Sequence, residues 1–282
     1  MKDIYCIGGD QRMFHAVKYL SEHGYACRTY HVPGFEDVIT EIPNGSIVIL
    51  PFPSVKGGTI ADLSTEASRC IGLFRSGNIL IGGHFSDAFS EIPPQDVRLI
   101  DVSMSEPFLM NNAALSAECA LGKTIVSSPF ALRGSHVLVM GWGRIGKHLT
   151  YLLSACGADV AVYVRKPSDS AYLRSMQITT LSPDLRENDY HEFQCIFNTV
   201  PVPVIDLSIV KALREDCLYY ELASLPGGLC KEAIGYLGER RLPLPGLPGK
   251  YAPAQAGTVY AQEILRRLEE IKCKSSQPSA LP

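Results

Sequence analysis

The sequence predicts an α/β protein of two domains, each built on a doubly wound parallel sheet. Short runs rich in Val, Ile and Leu alternate with amphipathic helical segments along the chain, as strands joined by crossover helices do. A glycine turn joins a predicted strand to a predicted helix twice, near residue 8 and near residue 141. The length of 282 residues provides for one or two domains, and the second of these turns opens a separate unit.

In the first third of the chain, Ile4–Ile7 predicts a strand that ends at a Gly-Gly-Asp turn, and Gln11–His23 predicts the amphipathic helix after it. Gly24 is placed to end that helix. Further strands are predicted at Tyr25–Tyr30, Ser46–Leu50 and Ile79–Ile81. Ligands of parallel sheets gather at the carboxyl ends of the strands, so loops 51–58 and 82–86 are candidate binding loops.

The second domain is predicted to begin near Arg133 with the strand His136–Met140. The sequence Gly-Trp-Gly-Arg-Ile-Gly over 141–146 then opens a helix with apolar residues at helical spacing, and Asp159–Val164 is the next predicted strand. Two more buried strands are predicted at Cys195–Thr199 and Cys217–Leu222.

The composition excludes several classes of function. A net charge of −3 without a long basic tract argues against a nucleic-acid or anionic-membrane surface, and no run approaches the roughly 18–20 apolar residues of a membrane helix. The opening residues MKDIYCIGGD enter a strand-like run too early for a signal peptide, so we expect a soluble, cytoplasmic protein. Nine cysteines without a C-x-x-C pair predict buried, reduced thiols and support neither a metal site nor a disulfide framework.

The second glycine turn matches the G-x-G-x-x-G pattern of dinucleotide-binding Rossmann domains, and its place between a strand and a helix makes the match informative. Gly141 would make the tight turn, Gly143 would let the backbone approach a pyrophosphate, and Gly146 would let helix and strand pack closely. The N–H groups at the helix start, around Arg144 and Ile145, would then bind the phosphates.

The chain after this motif predicts NADP as the preferred cofactor, with NAD as the alternative. The strand that ends at Val164 lacks the acidic residue that would bind the ribose 2′-hydroxyl of NAD. Arg165, Lys166 and Ser168 follow it instead, and two cations with a hydroxyl suit a 2′-phosphate. Two other interpretations stay open: the cations form a solvated loop, or Arg165 stacks on the adenine.

Two later strand ends are predicted to flank the nicotinamide ring. The residues concerned are Asn198, Thr199, Val200 and Pro201 after one strand and Ser224 after the next. Backbone groups and small side chains at such places position a ring and do not transfer protons.

These elements divide the chain into four predicted segments: a substrate-side flavodoxin- or Rossmann-like domain over 1–110, a bridging helix and linker over 111–133, a nucleotide-binding domain over 134–255, and a C-terminal helix with a frayed tail over 256–282. Asn111–Leu121 is the predicted bridging helix, and Ala256–Lys272 is the predicted last helix. Such a bridge would leave a cleft between the two domains.

Four segments of the chain resemble the larger, dinucleotide-binding component of dipicolinate synthase, known as its A subunit: IYCIGGDQR at 4–12, GSHVLVMGWGRIGKHL at 134–149, ELASLPGG at 221–228 and LPGLPGKYAPAQAG at 244–257. They cover nearly the whole chain in order, and the last two are more specific than the glycine turn. The chain departs from the expected pattern at Glu221, where the family is expected to carry Asp, and at Trp142, where a smaller aliphatic residue is expected.

The resemblance implies an enzyme that oxidises dihydrodipicolinate to dipicolinate with NAD(P) in the cytoplasm of the mother cell during sporulation. The partner it implies is a smaller B subunit that resembles a flavoprotein, in a homo- or hetero-oligomer. The implied fold is the two-domain arrangement of formate and 2-hydroxyacid dehydrogenases, with the N-terminal domain on the substrate side.

The oxidation makes an aromatic ring, so the protein must chiefly hold that ring and neutralise two carboxylates. The candidate substrate residues are Gly9, Asp10, Arg12, Ser54, Lys56 and Arg144. Alternatives stay open for three of them: Arg144 fits a place over the pyrophosphate equally well, Arg12 fits a surface pair with Asp10, and Lys56 fits a solvated loop.

His84 is the candidate catalytic base, because it lies just past a strand end in the sequence Gly-Gly-His. The alternatives are a structural histidine and water as the proton acceptor. Two other functions also stay open. A 2-hydroxyacid-type dehydrogenase is disfavoured because, after Arg144, His191 in a polar loop is the one histidine that follows a strand end. A non-catalytic nucleotide-binding or regulatory subunit would bind cofactor or substrate without turnover.

Overall fold

The computed structural model describes residues 3–36, 38–56, 59–60, 72–85 and 96–276. The chain divides into two compact units, the first formed by residues 1–112 with 248–282 and the second by residues 113–247. Segment 248–255, which the sequence placed in the second domain, therefore belongs to the first unit. The reason is a close approach to the first helix: a Cβ on Gly249 would lie 2.9 Å from Arg12 Nε.

The first unit is built on a five-stranded parallel sheet. Its strands are β1 (Asp3–Ile7), β2 (Ala26–Tyr30), β3 (Ile47–Ile49), β6 (Ile79–Gly82) and β7 (Arg98–Asp101), and an antiparallel hairpin of β4 (Val55–Lys56) and β5 (Thr59–Ile60) follows β3. The order in the sheet is β2-β1-β3-β6-β7. Helix α1 (Gln11–Glu22) follows β1, and the long helix α2 (Glu106–Ser127) leads out of this unit.

The second unit is built on a six-stranded parallel sheet. Its strands are β8 (His136–Met140), β9 (Asp159–Tyr163), β10 (Thr179–Leu181), β11 (Cys195–Asn198), β12 (Leu218–Glu221) and β13 (Arg241–Pro243), in the order β10-β9-β8-β11-β12-β13. Its helices are α3 (Arg144–Ala155), α4 (Pro167–Ser175), α5 (Leu207–Lys211) and α6 (Lys231–Leu237). After it come α7 (Leu247–Tyr251) and α8 (Pro253–Ser276).

Both faces of the second sheet are covered by apolar packing. Alternate residues of β8 belong to two different apolar core clusters. Val137 and Val139 share one cluster with Leu149 of α3, whereas Leu138 and Met140 share the other with Ile209 of α5. A parallel strand buried on both faces is apolar throughout, which is why β8 could be predicted from its sequence to the residue.

The predicted fold class is confirmed, with differences in individual elements. The bridging helix is longer than the predicted Asn111–Leu121, and the last helix continues past Lys272 to Ser276, so the predicted tail begins too early. Residues 277–282 lie outside the described residues. Among those described, no helix combines the length and apolar character needed to span a bilayer, and no group of His, Cys, Asp and Glu is arranged to hold a metal ion.

The cysteines of the described segments are free thiols with different exposure. Cys6, Cys195 and Cys217 are buried as predicted, and burial raises the pKa of the Cys217 thiol to about 12. Cys273 on α8 is exposed, contrary to the prediction of buried thiols, because it lies near the end of a helix whose other residues there are also exposed or half-buried. Cys70 lies outside the described residues.

Candidate functional site

Each unit has a topological switch point, where the strand order reverses. In the first unit, the chain after β1 and the chain after β3 lead to strands on opposite sides in the sheet. In the second unit, the same holds for the chain after β8 and the chain after β11. Ligands of open parallel sheets bind in the crevice outside the carboxyl ends of such strands. Loops 8–10 and 50–54 lie at the first switch point, and loops 141–143 and 199–204 lie at the second.

The glycine turn at the second switch point has the geometry that a dinucleotide requires. Gly141 has a φ of +102°, and a Cβ there would lie 2.6 Å from Oγ1 of Thr199. A Cβ on Gly146 would lie 2.1 Å from the carbonyl oxygen of Gly141, so only glycine permits this close packing. Gly143 is exposed, and a Cβ there would meet nothing within 4 Å. The space beside Gly143 is therefore open to a ligand.

The start of α3 is open to an anion. Its N-cap is Gly143, which offers no side-chain cap, and Lys147 is the residue whose N–H donates to the Gly143 carbonyl, at 3.0 Å. The N–H groups in the first turn of an α-helix, such as that of Ile145, have no acceptors within the helix. Together with the helix dipole they suit a pyrophosphate. These residues fit a dinucleotide.

The residues predicted to bind a 2′-phosphate follow β9 on the protein surface. Val164 is buried, whereas Arg165, Lys166 and Ser168 are exposed at the start of α4. Asp169 is the acidic residue in the first turn of that helix and is half-buried. The two cations are thus placed where an anionic ligand could reach them.

Asn198 does not present its amide to a ligand, contrary to the prediction. The side chain is fully buried, and its Nδ2 donates to Glu221 Oε1 at 2.6 Å and to the carbonyl of Val200 at 2.9 Å. Glu221 Oε2 accepts from the N–H of Gly228 at 3.1 Å. A Cβ on Gly228 would lie 2.4 Å from Asn198 Nδ2. The buried carboxylate and amide therefore hold the loop after β12 in place, which explains why a carboxylate and a Gly-Gly pair occur together there.

The other residues predicted to flank the nicotinamide lie at the rim of the sheet. The Thr199 hydroxyl donates to the Met140 carbonyl at 2.8 Å, which ties β11 to β8 at their carboxyl ends. Val200 is half-buried, and Pro201 and Ser224 are exposed. That backbone groups of these residues position a nicotinamide ring stays a prediction, whereas the Thr199 hydroxyl ties two strands of the sheet together.

The corresponding turn of the first unit is closed to phosphate. Asp10 caps α1 by accepting from the N–H of Arg12 at 2.9 Å, and its carboxylate also binds the Arg12 side chain, with Nη2 at 2.8 Å from Oδ2. An anion cannot use a helix start that a carboxylate already occupies. Gly9 has a φ of +100°, and a Cβ at this position would lie 2.7 Å from the Cβ of Met13. Both the backbone conformation and the close neighbour therefore require glycine. This turn therefore presents the Arg12–Asp10 pair and not an open set of N–H groups.

A small hollow lies beside this pair at the first switch point. Its wall is formed by Asp10, Arg12, Met13, Pro51, Phe52, Phe108, Asn112, Ala256 and Tyr260. The Phe52 ring packs edge-on against Phe108 at 4.8 Å between centroids, and the buried Tyr260 hydroxyl donates to the Leu50 carbonyl. Sequence reasoning missed the aromatic residues and Asn112, although a polar Asn111-Asn112 pair near the start of an apolar helix was a visible signal.

Ser54 is not available to a substrate, contrary to the prediction. It is fully buried, its hydroxyl donates to the Pro51 carbonyl at 3.0 Å, and it accepts from the N–H of Gly83 at 2.9 Å. The hydroxyl thus joins loop 51–54 to the loop after β6. Lys56 lies in β4, and its side chain is outside what the structure describes.

His84 is exposed at the end of β6, with a φ of +55°, and its ring lies 5.1 Å from the ring of Phe52. Phe52 also lines the hollow with Arg12, whereas His84 contacts Phe52 and is not part of the wall of the hollow.

Comparisons with known proteins agree with the resemblance in the motifs. No family model matches the chain. The A subunit of dipicolinate synthase from Bacillus subtilis is 25% identical in an alignment of 293 residues that covers 96% of this chain and 97% of that protein. The predicted resemblance is thereby confirmed along nearly the whole chain.

Solved structures show the same fold. The crystal structure of the same dipicolinate synthase component from Bacillus halodurans superposes with a TM-score of 0.83 at 21% identity, over 98% of both chains. The one from Bacillus subtilis gives 0.82 at 23% identity, over 97% of both chains. D-lactate dehydrogenase from Escherichia coli gives 0.62 at 13% identity, over 96% of this chain and 97% of that one. The expected likeness to the 2-hydroxyacid dehydrogenase fold is confirmed.

Proposed function

We propose that this chain, which is similar to the A subunit of dipicolinate synthase over 96% of its length, oxidises dihydrodipicolinate to dipicolinate with NADP or NAD. The observation that carries the proposal is the pairing of two different switch-point sites on one chain. The second unit offers an open helix start beside Gly143, and the first offers an arginine beside an aromatic hollow. A dinucleotide fits the former, and a ring carboxylate fits the latter.

The residues of the second unit would hold the dinucleotide. The first N–H groups of α3 bind the pyrophosphate, Arg144 covers it, and Arg165, Lys166 and Ser168 bind a 2′-phosphate, which favours NADP over NAD. When bound, the nicotinamide accepts the hydride that the dihydropyridine ring loses. In the balanced reaction, dihydrodipicolinate and NAD(P)+ give dipicolinate, NAD(P)H and one proton.

The residues of the first unit would bind the substrate and take the proton. Asp10 engages the Nε and Nη2 atoms of Arg12, and a guanidinium has a second edge, formed by Nη1 and Nη2, that suits a carboxylate. His84 would accept the proton from the ring carbon next to the one that loses hydride, and its exposed ring beside Phe52 supports this role. The partner we propose is a smaller, flavoprotein-like B subunit, in the cytoplasm of the mother cell of a sporulating bacterium.

The test is a turnover assay on the purified chain with freshly generated dihydrodipicolinate. The absorbance of reduced nicotinamide and of dipicolinate is followed with NADP and with NAD, first without and then with the flavoprotein-like partner. Turnover by the chain alone or with the partner supports the proposal, and a loss of turnover in His84→Gln supports the role of the base. Dinucleotide binding without turnover in either case contradicts the proposal and favours a regulatory role.

A further inference from the structure

The hollow at the first switch point has little room inside its walls. The space that the centre of a water-sized group can occupy is about 10 Å³, and all the space between the walls, open solvent included, is about 330 Å³. Room of that size admits about one water-sized group, such as one carboxylate oxygen. One end of a substrate could therefore enter the hollow while the rest of the ring stays outside it.

We propose that Asn112 and Arg12 together bind one carboxylate of a flat ring dicarboxylate, and that the ring lies against Phe52. The inference rests on the proposed function and extends it by naming a substrate residue that no motif contains. Arg12 lies on α1, Phe52 on the loop after β3, and Asn112 on α2, so three separate segments of the first unit form the binding site.

Arg12 supplies the charge. Its side chain is 23% exposed and is held by Asp10 through Nε and Nη2, which fixes the plane of the guanidinium. A guanidinium that is already oriented loses less rotational freedom when it binds a carboxylate. Gly249 keeps this place narrow, because a Cβ there would lie 3.2 Å from Arg12 Cζ.

Asn112 supplies a directional hydrogen bond to the carboxylate. The amide is half-buried on the wall of the hollow, and its neighbour Ala113 on α2 is buried, so the helix fixes where the side chain starts. A primary amide has two N–H donors and an acceptor oxygen, so it can bind a ligand and a group of the protein at the same time. One N–H can donate to the carboxylate oxygen that does not meet Arg12.

The aromatic residues select a flat ring. Phe52 packs edge-on against Phe108 at 4.8 Å, and the ring of Tyr260 lies 5.9 Å from that of Phe108 and 6.3 Å from that of Phe52. Two packed neighbours hold the Phe52 ring in one orientation, and a fixed aromatic wall favours an unsaturated ring over a flexible chain. An aliphatic dicarboxylate of similar length should therefore bind more weakly than dipicolinate.

The experiment measures the Kd of dipicolinate for the purified full chain by titration calorimetry, with glutarate and benzoate as further ligands. Asn112→Ala should raise the Kd of dipicolinate about tenfold to a hundredfold, as the loss of one hydrogen bond to a charged group does. Asn112→Asp should raise it further, because a second carboxylate then faces the ligand. Asn111→Ala, a change of the exposed neighbour, is the matched control and should leave the Kd within about twofold.

Urea denaturation of the Asn112 variants separates binding from folding. A loss of dipicolinate affinity in a variant whose free energy of unfolding stays close to that of the unaltered chain supports the ligand role, whereas a structural role lowers the affinity and the free energy of unfolding together. Equal affinities of the Asn112 and Asn111 variants for dipicolinate would overturn the inference and leave the proposed function standing. Benzoate binding that depends on Asn112, without binding or turnover of the dicarboxylate, would support the site and contradict the function. Failure of the unaltered chain to bind either aromatic ligand would overturn the site.

Discussion

Arg165 is the residue on which the choice between NADP and NAD most directly depends. It is exposed, and it follows Val164, the last buried residue after β9. A 2′-phosphate at this place would meet an arginine, a lysine and the start of α4, whereas the 2′-hydroxyl of NAD would find no carboxylate directly after the strand. The side chain of Arg165 should therefore contribute to the binding of one cofactor and hardly to that of the other.

Arg165→Ala should raise the Kd of NADP about tenfold to a hundredfold and change the Kd of NAD by less than about threefold, because one charged hydrogen bond to the phosphate is lost. Fluorescence titration of the purified chain and of the variant with both dinucleotides gives the ratio of the Kd of NADP to that of NAD. Arg174→Ala, at the other end of α4, is the control, since it also removes an exposed arginine. An unchanged NADP-to-NAD ratio in Arg165→Ala would show that this residue does not bind the phosphate.

The polar residues predicted from the sequence separate by what their side chains already bind. Ser54 and Asn198 lie near strand ends like the other candidates, but both are fully buried and hydrogen-bonded within their own unit. A short polar residue after a strand either holds its loop or faces a ligand, and local sequence does not distinguish the two. Arg165, by contrast, is long and charged, so its exposure could be expected from its type alone.

Helix α8 packs on α1 through a glycine, and this contact positions the first turn of α1, which carries Arg12. A Cβ on Gly257 would lie 2.3 Å from the Arg12 carbonyl oxygen and 2.7 Å from His15 Cβ. The two helices can approach this closely only without a side chain at that position. The specific PGLPGxxAPxxAG pattern therefore has a physical reason at its last glycine.

Gly257→Ala should lower the free energy of unfolding by about 1–3 kcal/mol, as overpacking of a close contact does. Gly122→Ala on α2 is the matched control, because a Cβ there meets nothing within 4 Å, and the change should be neutral or stabilising by up to about 1 kcal/mol. Urea denaturation of the two variants measures the difference. Equal midpoints would mean that α8 moves away from α1 without cost.

The central strands β8 and β11 were predicted from sequence patterns, whereas three strands that were missed, β7, β10 and β13, lie at sheet edges. The edge strand β2 is an exception, since Tyr25–Tyr30 was predicted. The residues of β8 and β11 are apolar and mostly fully buried, so their periodicity was clear. The edge strands β7, β10 and β13 have few or no fully buried residues, and β7 begins with the exposed Arg98 and Leu99. An edge strand of three or four residues carries too little apolar periodicity to be recognised.

The chain as a whole uses one architectural plan twice, with different chemistry at the two switch points. Strand order could not be predicted from local patterns, because periodicity does not say in which direction a crossover leaves. The glycine turn nevertheless marked the second switch point from sequence, since only a close-approach turn needs three glycines at that spacing. The hollow at the first switch point has no such sequence motif, because the residues of its wall come from separate segments, among them Arg12, Phe52, Asn112 and Tyr260.

Because the residues we assign to each ligand lie in different units, the affinity for NADP and the affinity for dipicolinate should respond to different substitutions. Gly143→Ala places a methyl group in the open space beside the turn and should weaken NADP at least tenfold, while dipicolinate affinity and the free energy of unfolding stay close to those of the unaltered chain. Asn112→Ala should weaken dipicolinate and leave the affinity for NADP close to that of the unaltered chain. Calorimetric titration of the two variants with the two ligands gives the four dissociation constants.

Arg144 completes this comparison, since it begins α3 in the second unit and is by sequence a candidate for both ligands. We expect Arg144→Ala to weaken NADP and not dipicolinate, because its place at the start of α3 is that of the pyrophosphate. A loss confined to dipicolinate would instead make Arg144 a substrate residue. A loss of both affinities in Gly143→Ala, with unfolding unchanged, would contradict the separation of the two sites and show that the ligands depend on common residues.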